Sequence, residues 1–294
     1  MPYRQVRAFS GKGPGADRFS DALRGIAVDG RGSVFAVGDR EVKAFDAEGN
    51  LRRRWSTDFP GYCVAIKPDD TIFVGGDGRI AMFSSEGQPL DVWVDAERLG
   101  LVTAIGYFGD DLLLADATAR CIHRYDKQRR WLNDIGNRNN TQGFLIPNGY
   151  LDFAVDAAGI VQVCNPAAHR VERYTLDGTK LGQFGRFGGR RPEDFPGCCN
   201  PTNLTLSREG HVVVTEKAGP RLKVYDADGR LLEVVGPEPF DQNCKNMDVA
   251  VDGGGRVFVA DTVRLSILVF APTGEPGAGR GENELADLPG AARP

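Results

Sequence analysis

The sequence predicts an all-β fold, a six-bladed β-propeller whose last blade is closed by the N-terminal strand. Three observations predict it. One pattern of short strands and tight turns, most complete in MDVAVDGGGRVFVADTVRLSILVF from Met247 to Phe270, recurs in five other places along the chain. Each copy closes on an aromatic, Phe45, Phe83, Tyr125, Tyr174, Tyr225 and Phe270, at successive spacings of 38, 42, 49, 51 and 45 residues. The chain also carries no long amphipathic helical period, while its 38 Gly and 17 Pro supply the punctuation that about two dozen turns need. Six copies of a three- to four-stranded unit at such a period read as a propeller.

The elements follow in order. Tyr3 to Phe9, YRQVRAF, alternates as a strand does yet precedes the first copy, GIAVDGRGSVFAVGDREVKAF from Gly25. The second is CVAIKPDDTIFVGGDGRIAMF from Cys63, and the third, TAIGYFGDDLLLADATARCIHRY from Thr103, departs from the others at Gly106 to Gly109. DFAVDAAGIVQVCNPAAHRVERY from Asp152 and NLTLSREGHVVVTEKAGPRLKVY from Asn203 are the fourth and fifth. In each, a short apolar run turns at polar and glycine residues into an alternating second strand, then crosses a loop into a third strand that ends on the aromatic. A fourth, outer strand follows in the first five copies, reaching Trp55, Trp93 and Trp131 in the first three. The sixth copy lacks one, because after Phe270 the chain runs into APTGEPGAGRGENELADLPGAARP. Tyr3 to Phe9 is therefore expected to complete blade six and remove the open edge a linear array would leave. Residues 1–275 form one propeller on this reading, and 276–294, rich in Gly, Pro, Ala and charge, form a flexible tail. The closing aromatics recur at one structural position and are read as packing between blades.

A strand of GIAVD type, a turn with Gly, a second strand of VFVAD type and an aromatic-Asp-x-x-Gly exit together resemble the NHL-repeat family of six-bladed propellers. The motifs are specific in Gly25 to Gly49, Asp152 to Gly178, Asn203 to Gly229 and Asp248 to Phe270, and weak in the third copy. The resemblance implies the fold and a binding surface. It implies no one chemistry, since members of the family include protein-binding and RNA-binding modules alongside enzymes.

A net charge of −4 with scattered Lys and Arg gives no footprint for nucleic acid or an anionic membrane. No run of 18 apolar residues is present and MPYRQVRAFSGKG has no apolar export core, so the expectation is a soluble protein without membrane insertion, cytoplasmic, or periplasmic if a signal was removed. Six Cys in a chain of this size do not make a disulfide scaffold and do not decide the compartment.

Function is expected on the face where the loops into the inner strands and the loops between second and third strands open around the channel. Two positions before the inner-strand Ala or its equivalent stand Gly25, Cys63, Val102, Asp152, Asn203 and Asp248. Asp152, Asn203 and Asp248 thus share one register in three successive blades. Such oxygens suit Ca²⁺ or Mg²⁺, and in fold and ligand type they resemble the sugar-lactone hydrolases, six-bladed propellers that hold a divalent ion. The alternative is that they cap turns between blades. The second-to-third loops add Glu216 with Lys217, and Asp261 with Arg264; Glu216, Lys217 and Arg264 are candidate ligand contacts, or solvated charges.

Cys198, Cys199 and Cys244 fall in the loops GCCNPTN and QNCKNMD of adjacent blades, Cys199 and Cys244 at matching positions, with Cys63 across the channel as a fourth. They are candidates for a metal ion or iron-sulfur cluster, a disulfide or redox pair, or free thiols. Cys121 and Cys164 lie in strands and are assigned to the core. The three histidines, His123, His169 and His211, are too scattered to converge as the zinc ligands of the amidating lyases related to NHL propellers do. No GxSxG, HExxH, phosphate-loop or dinucleotide motif is present. The function expected from sequence is an NHL-type binding or scaffold protein whose protein or small-molecule partner sits on the channel face of blades four to six. A metal or iron-sulfur redox protein built on the cysteines, and a metal-dependent lactonase- or lyase-like enzyme built on the carboxylates, are the alternatives.

Overall fold

The computed structural model describes residues 2–136, 143–217 and 219–273; the segment expected to be a flexible tail lies outside them. β1 (Tyr3–Ser10) comes first. Blade one is β2 (Gly25–Val28), β3 (Val34–Gly38), β4 (Glu41–Phe45) and β5 (Leu51–Ser56), and blade two is β6 (Cys63–Ile66), β7 (Ile72–Gly76), β8 (Arg79–Phe83) and β9 (Pro89–Val94). Blade three is β10 (Val102–Phe108), β11 (Asp111–Asp116), β12 (Cys121–Tyr125) and β13 (Trp131–Ile135). Blade four is β14 (Phe153–Val155), β15 (Val161–Asn165), β16 (Arg170–Tyr174) and β17 (Lys180–Phe184). Blade five is β18 (Asn203–Leu206), β19 (Val212–Glu216), β20 (Arg221–Tyr225) and β21 (Leu231–Val235). Blade six has β22 (Val249–Val251), β23 (Val257–Asp261) and β24 (Ser266–Pro272), and its fourth strand is β1. All six sheets are four-stranded and antiparallel, and the one helical piece among the described residues is the 3-10 turn Pro166–Ala168.

Local chemistry sets the turns. In the Asp-x-x-Gly segments the Asp carboxylate accepts backbone N–H groups two and four residues on, as Asp29 does from Arg31 and Ser33 and Asp226 from Asp228 and Arg230. The glycine three residues on takes a positive φ, 84° at both Gly49 and Gly229, that a β-carbon would strain. At these two glycines space is short as well. A β-carbon at Gly49 would lie 2.6 Å from the Phe9 ring, and one at Gly229 2.4 Å from Phe184.

Those contacts explain how blades join. Phe184 on the outer strand of blade four stacks on Tyr225 of blade five with ring centroids 4.9 Å apart, and Trp55 of blade one lies 5.9 Å from Phe83 of blade two. Phe9 does the same from β1, 5.1 Å from Phe45 of blade one. The N-terminal strand thus supplies both the missing ladder of blade six, with Tyr3 opposite Pro272 and Ser10 opposite Ser266, and its wedge against the next blade. All six closing aromatics are buried, and the apolar core is a ring of six clusters, each between two neighbouring blades. Among the described residues no helix is long and apolar enough to cross a membrane.

Candidate functional site

The residues at the head of the inner strands stitch one blade to the next. Asp152 accepts the N–H of Phe153 beside it and that of Leu204 in blade five, both at 2.9 Å. Asp248 repeats this with Val249 at 2.9 Å and Ile26 of blade one at 2.7 Å. Thr103 binds both the carbonyl and the N–H of Leu151, joining blades three and four. The Cys63 thiol rests 3.6 Å from the carbonyl of Val102.

Asp152, Asp248, Cys63 and Thr103 face a cavity of about 320 Å³ whose remaining wall is mainly apolar residues of the inner strands. Asp152 is buried, and among the described residues neither carboxylate forms an ion pair. Burial raises the Asp152 carboxyl well above the usual range, and the charge of Asp248 raises it further against the N–H bonds from Leu204 and Phe153. Burial also pushes Asp248 up to about 6, although Ile26 and Val249 donate to it. Asn203 favours the ionised form of Asp152, while its own buried Oδ1 has no hydrogen-bond partner among the described residues. The two carboxylates of the oxygen-rich register therefore do cap seams between blades, whereas the Asn203 oxygen is left unfilled among the described residues.

Arg24, Tyr62, Tyr150 and Asn148 gather beside the heads of these strands. The Arg24 guanidinium lies 4.4 Å above the Tyr62 ring, which is 6.3 Å from Tyr150. Asn148 donates across the ring of blades to Asn246 at 2.6 Å. Burial raises the Tyr150 phenol, Arg24 opposes this, and the charge of Asp248 adds to the rise. Sequence reasoning did not single out Arg24, Tyr62 or Tyr150. The signal was the placement of Arg24 and Tyr62 immediately before a strand head, in RGIAV and GYCVA.

The other candidates lie elsewhere. Glu216 is fully buried and ion-paired with Lys223 at 2.5 Å, inside blade five. Lys217 is held through its backbone by the buried Asn200 and has its charge beside Cys198 and Cys199. Arg264 binds the carbonyl of Pro239 at 2.8 Å and pairs with Asp261, whose carboxylate also accepts the N–H of Asp241. Asp39, Asp116 and Asn165 likewise take N–H groups from the preceding loops, at Asp21, Gly100 and Leu145. These loop acids and amides fasten the chain.

All six cysteines are free thiols. Cys198 and Cys199 stand with their sulfurs 3.1 Å apart, whereas Cys244 is buried against Asp261 at 3.2 Å and Cys63 lies in the channel wall. Cys121 and Cys164 are core, as expected. Among the described residues, one trio of Cys, His and carboxylate atoms comes within mutual ligating reach: Cys121, His123 and Asp134. There His123 bridges Asp134 at 2.6 Å and Asp116 at 3.3 Å. Burial would discharge this ring, but the two carboxylates overrule it and hold its pKa at about 11, so it is an imidazolium tying blade three together.

No family model matches the chain, that of the NHL repeat included, and no curated protein matches it. Solved structures do. A structural genomics protein of unknown function from Bacteroides thetaiotaomicron superposes with a TM-score of 0.70 at 16% identity, covering 92% of this chain and 75% of that one. A streptogramin B lyase gives 0.61 at 12% identity over 85% of this chain and 93% of that one. The WD40 propeller domain of Doa1 gives 0.62 at 11% over 92% and 97%. At such identities the likeness is one of fold, and it makes this chain a β-propeller with neighbours of more than one activity.

Proposed function

We propose that the protein is an NHL-type binding propeller that takes a small cationic centre, a divalent metal ion or a compound bearing an ammonium group, in the channel at Asp152 and Asp248. One observation carries this reading: two carboxylates face one cavity, both hold their protons more tightly than usual, and among the described residues neither has a cationic side chain as partner. Buried carboxylates are ordinarily paired or coordinate metal. Asp152 and Asp248 offer the cavity carboxylate oxygens suited to Ca²⁺ or Mg²⁺, and Arg24, Tyr62 and Tyr150 would touch the rest of a larger ligand. A second reading is lyase- or hydrolase-like catalysis. It rests on Asp248, whose carboxyl near 6 is in the range of a general acid or base.

The test is a melting experiment at neutral pH with CaCl₂, MgCl₂, MnCl₂ and tetramethylammonium chloride, on the unmodified chain and on Asp152→Asn/Asp248→Asn. A ligand bound only by the folded state adds about 2.7 kcal/mol at a hundred times its Kd. The expected result is a rise in Tm with at least one cation, lost in the double variant. Equal melting of the unmodified chain under every condition would overturn the reading.

A further inference from the structure

The vicinal thiols form a second candidate site, independent of the channel. Cys198 is exposed, Cys199 beside it is buried, and their sulfurs are 3.1 Å apart, closer than unbonded sulfurs normally rest. Lys217 brings a positive charge to the pair, and Asn200, the residue after Cys199, clamps its backbone N–H and carbonyl at 2.8 and 2.7 Å. From this geometry we infer that Cys198 and Cys199 are a redox-active dithiol, in which a hydroperoxide oxidises Cys198 and Cys199 resolves the product to a vicinal disulfide.

The other described cysteines lack these features. Cys63, Cys121, Cys164 and Cys244 are buried, and burial pushes every one of their thiols up, that of Cys244 to about 11 with Asp261 adding to the effect. Cys198 moves the opposite way, because the hydrogen bond from Cys199 and then the charge of Lys217 favour its thiolate. The reactive species in thiol oxidation is the thiolate, and sensor cysteines are those with a lowered pKa, open to solvent and next to a resolving thiol.

The steps balance. The Cys198 thiolate attacks the outer oxygen of the hydroperoxide, the O–O bond breaks, and after proton uptake an alcohol (water, from hydrogen peroxide) and a sulfenic acid remain. The Cys199 sulfur then attacks the Cys198 sulfur, the S–O bond breaks, and hydroxide leaves as water with the Cys199 proton. Two thiols and one hydroperoxide give one disulfide, one alcohol and one water, with two electrons passing to the peroxide. Neighbouring α-carbons are about 3.8 Å apart, short of the roughly 4.4 Å lower limit of relaxed disulfides. The product is therefore readily reduced by a thiol and the modification reversible.

The experiment treats the full, reduced chain with one equivalent of hydrogen peroxide, alkylates what remains free and maps the peptides by mass spectrometry. The expected result is loss of two hydrogens within the peptide holding Cys198 and Cys199, reversed by dithiothreitol, while the other four cysteines are unchanged. In Cys199→Ser the oxidation stops at a sulfenic acid on Cys198 that dimedone captures, and in Cys198→Ser it does not start. A disulfide joining Cys199 to Cys244, equal oxidation of Cys198→Ser and the unmodified chain, or thiols that become reactive only after a chelator is added would each overturn the inference. Should a variant fail to fold, the map of the unmodified chain decides alone.

Discussion

Asp248 of blade six accepts the backbone N–H of Ile26 in blade one at 2.7 Å, across 222 residues of chain. It is the polar stitch at the seam where the ring of blades closes, and burial lifts its carboxyl to about 6. The sign of the consequence follows from proton counting. Between the unfolded value near 4 and the folded value near 6 the folded protein binds the extra proton, so stability falls as pH rises through that window and stays low above it. At about 1.36 kcal/mol for each unit the cost is at most roughly 3 kcal/mol. Asp248→Asn removes the charge and keeps an acceptor for Ile26, at the loss of the bond from Val249, which goes to the other carboxylate oxygen. It is expected to stabilise the protein at pH 8 by a kcal/mol or more and to change little at pH 4, whereas Asp248→Ala, leaving two N–H groups unmet, costs about 1–3 kcal/mol. Urea melts at the two pH values check this; a destabilised Asn variant at pH 8 would contradict it.

Phe9 and Phe45 join the N-terminal strand to blade one, and Tyr3 to Ser10 complete blade six. Deleting residues 1–10 removes a whole ladder and bares the edge of β24. A loss of several kcal/mol is expected, or a shift to oligomers through the free edge. Size-exclusion chromatography and thermal melting of the truncated chain would show it, and a monomer that melts like the full chain would refute the closure.

The closure and the blades were legible because they rest on local signals: period-two strands, Asp-x-x-Gly turns and an aromatic at each exit. The tethered charges were not. Lys223 and Lys43 stand in alternating strands, RLKVY and EVKAF, where a lysine reads as solvent-facing, yet both are buried. Their ammonium groups are met by carbonyls of Asp194 and Ala16 in glycine-rich loops well before them in the chain, contacts that only the folded chain creates. The same holds for His123, whose partners Asp116 and Asp134 come from the two neighbouring strands. The cysteines mislead in the opposite direction. Cys199 and Cys244 share a position in the repeat but not an environment, one meeting Cys198 and the other Asp261.

Glu216 and Lys223 are both inaccessible, and burial raises the carboxyl and lowers the ammonium, each held partly in check by the other. Removing one partner strands a buried charge. Lys223→Met or Glu216→Leu alone is expected to cost about 3–5 kcal/mol, while the double variant recovers most of it. A double-mutant cycle by chemical denaturation measures the coupling. Additive single and double effects would mean that the pair is solvated and that Glu216 is open to a ligand.

The central claim, that Asp152 and Asp248 await a cation, is tested most directly by titration calorimetry at pH 6 in two buffers of different ionisation enthalpy. A cation favours the ionised carboxylates and displaces the protons that burial holds there, so calcium, magnesium or a small ammonium compound should bind with proton release. The account predicts binding heats that differ between the buffers, affinity that rises with pH, and loss of both in Asp152→Asn/Asp248→Asn. Heats no larger than dilution for every cation, or binding that the double variant retains in full, would contradict it.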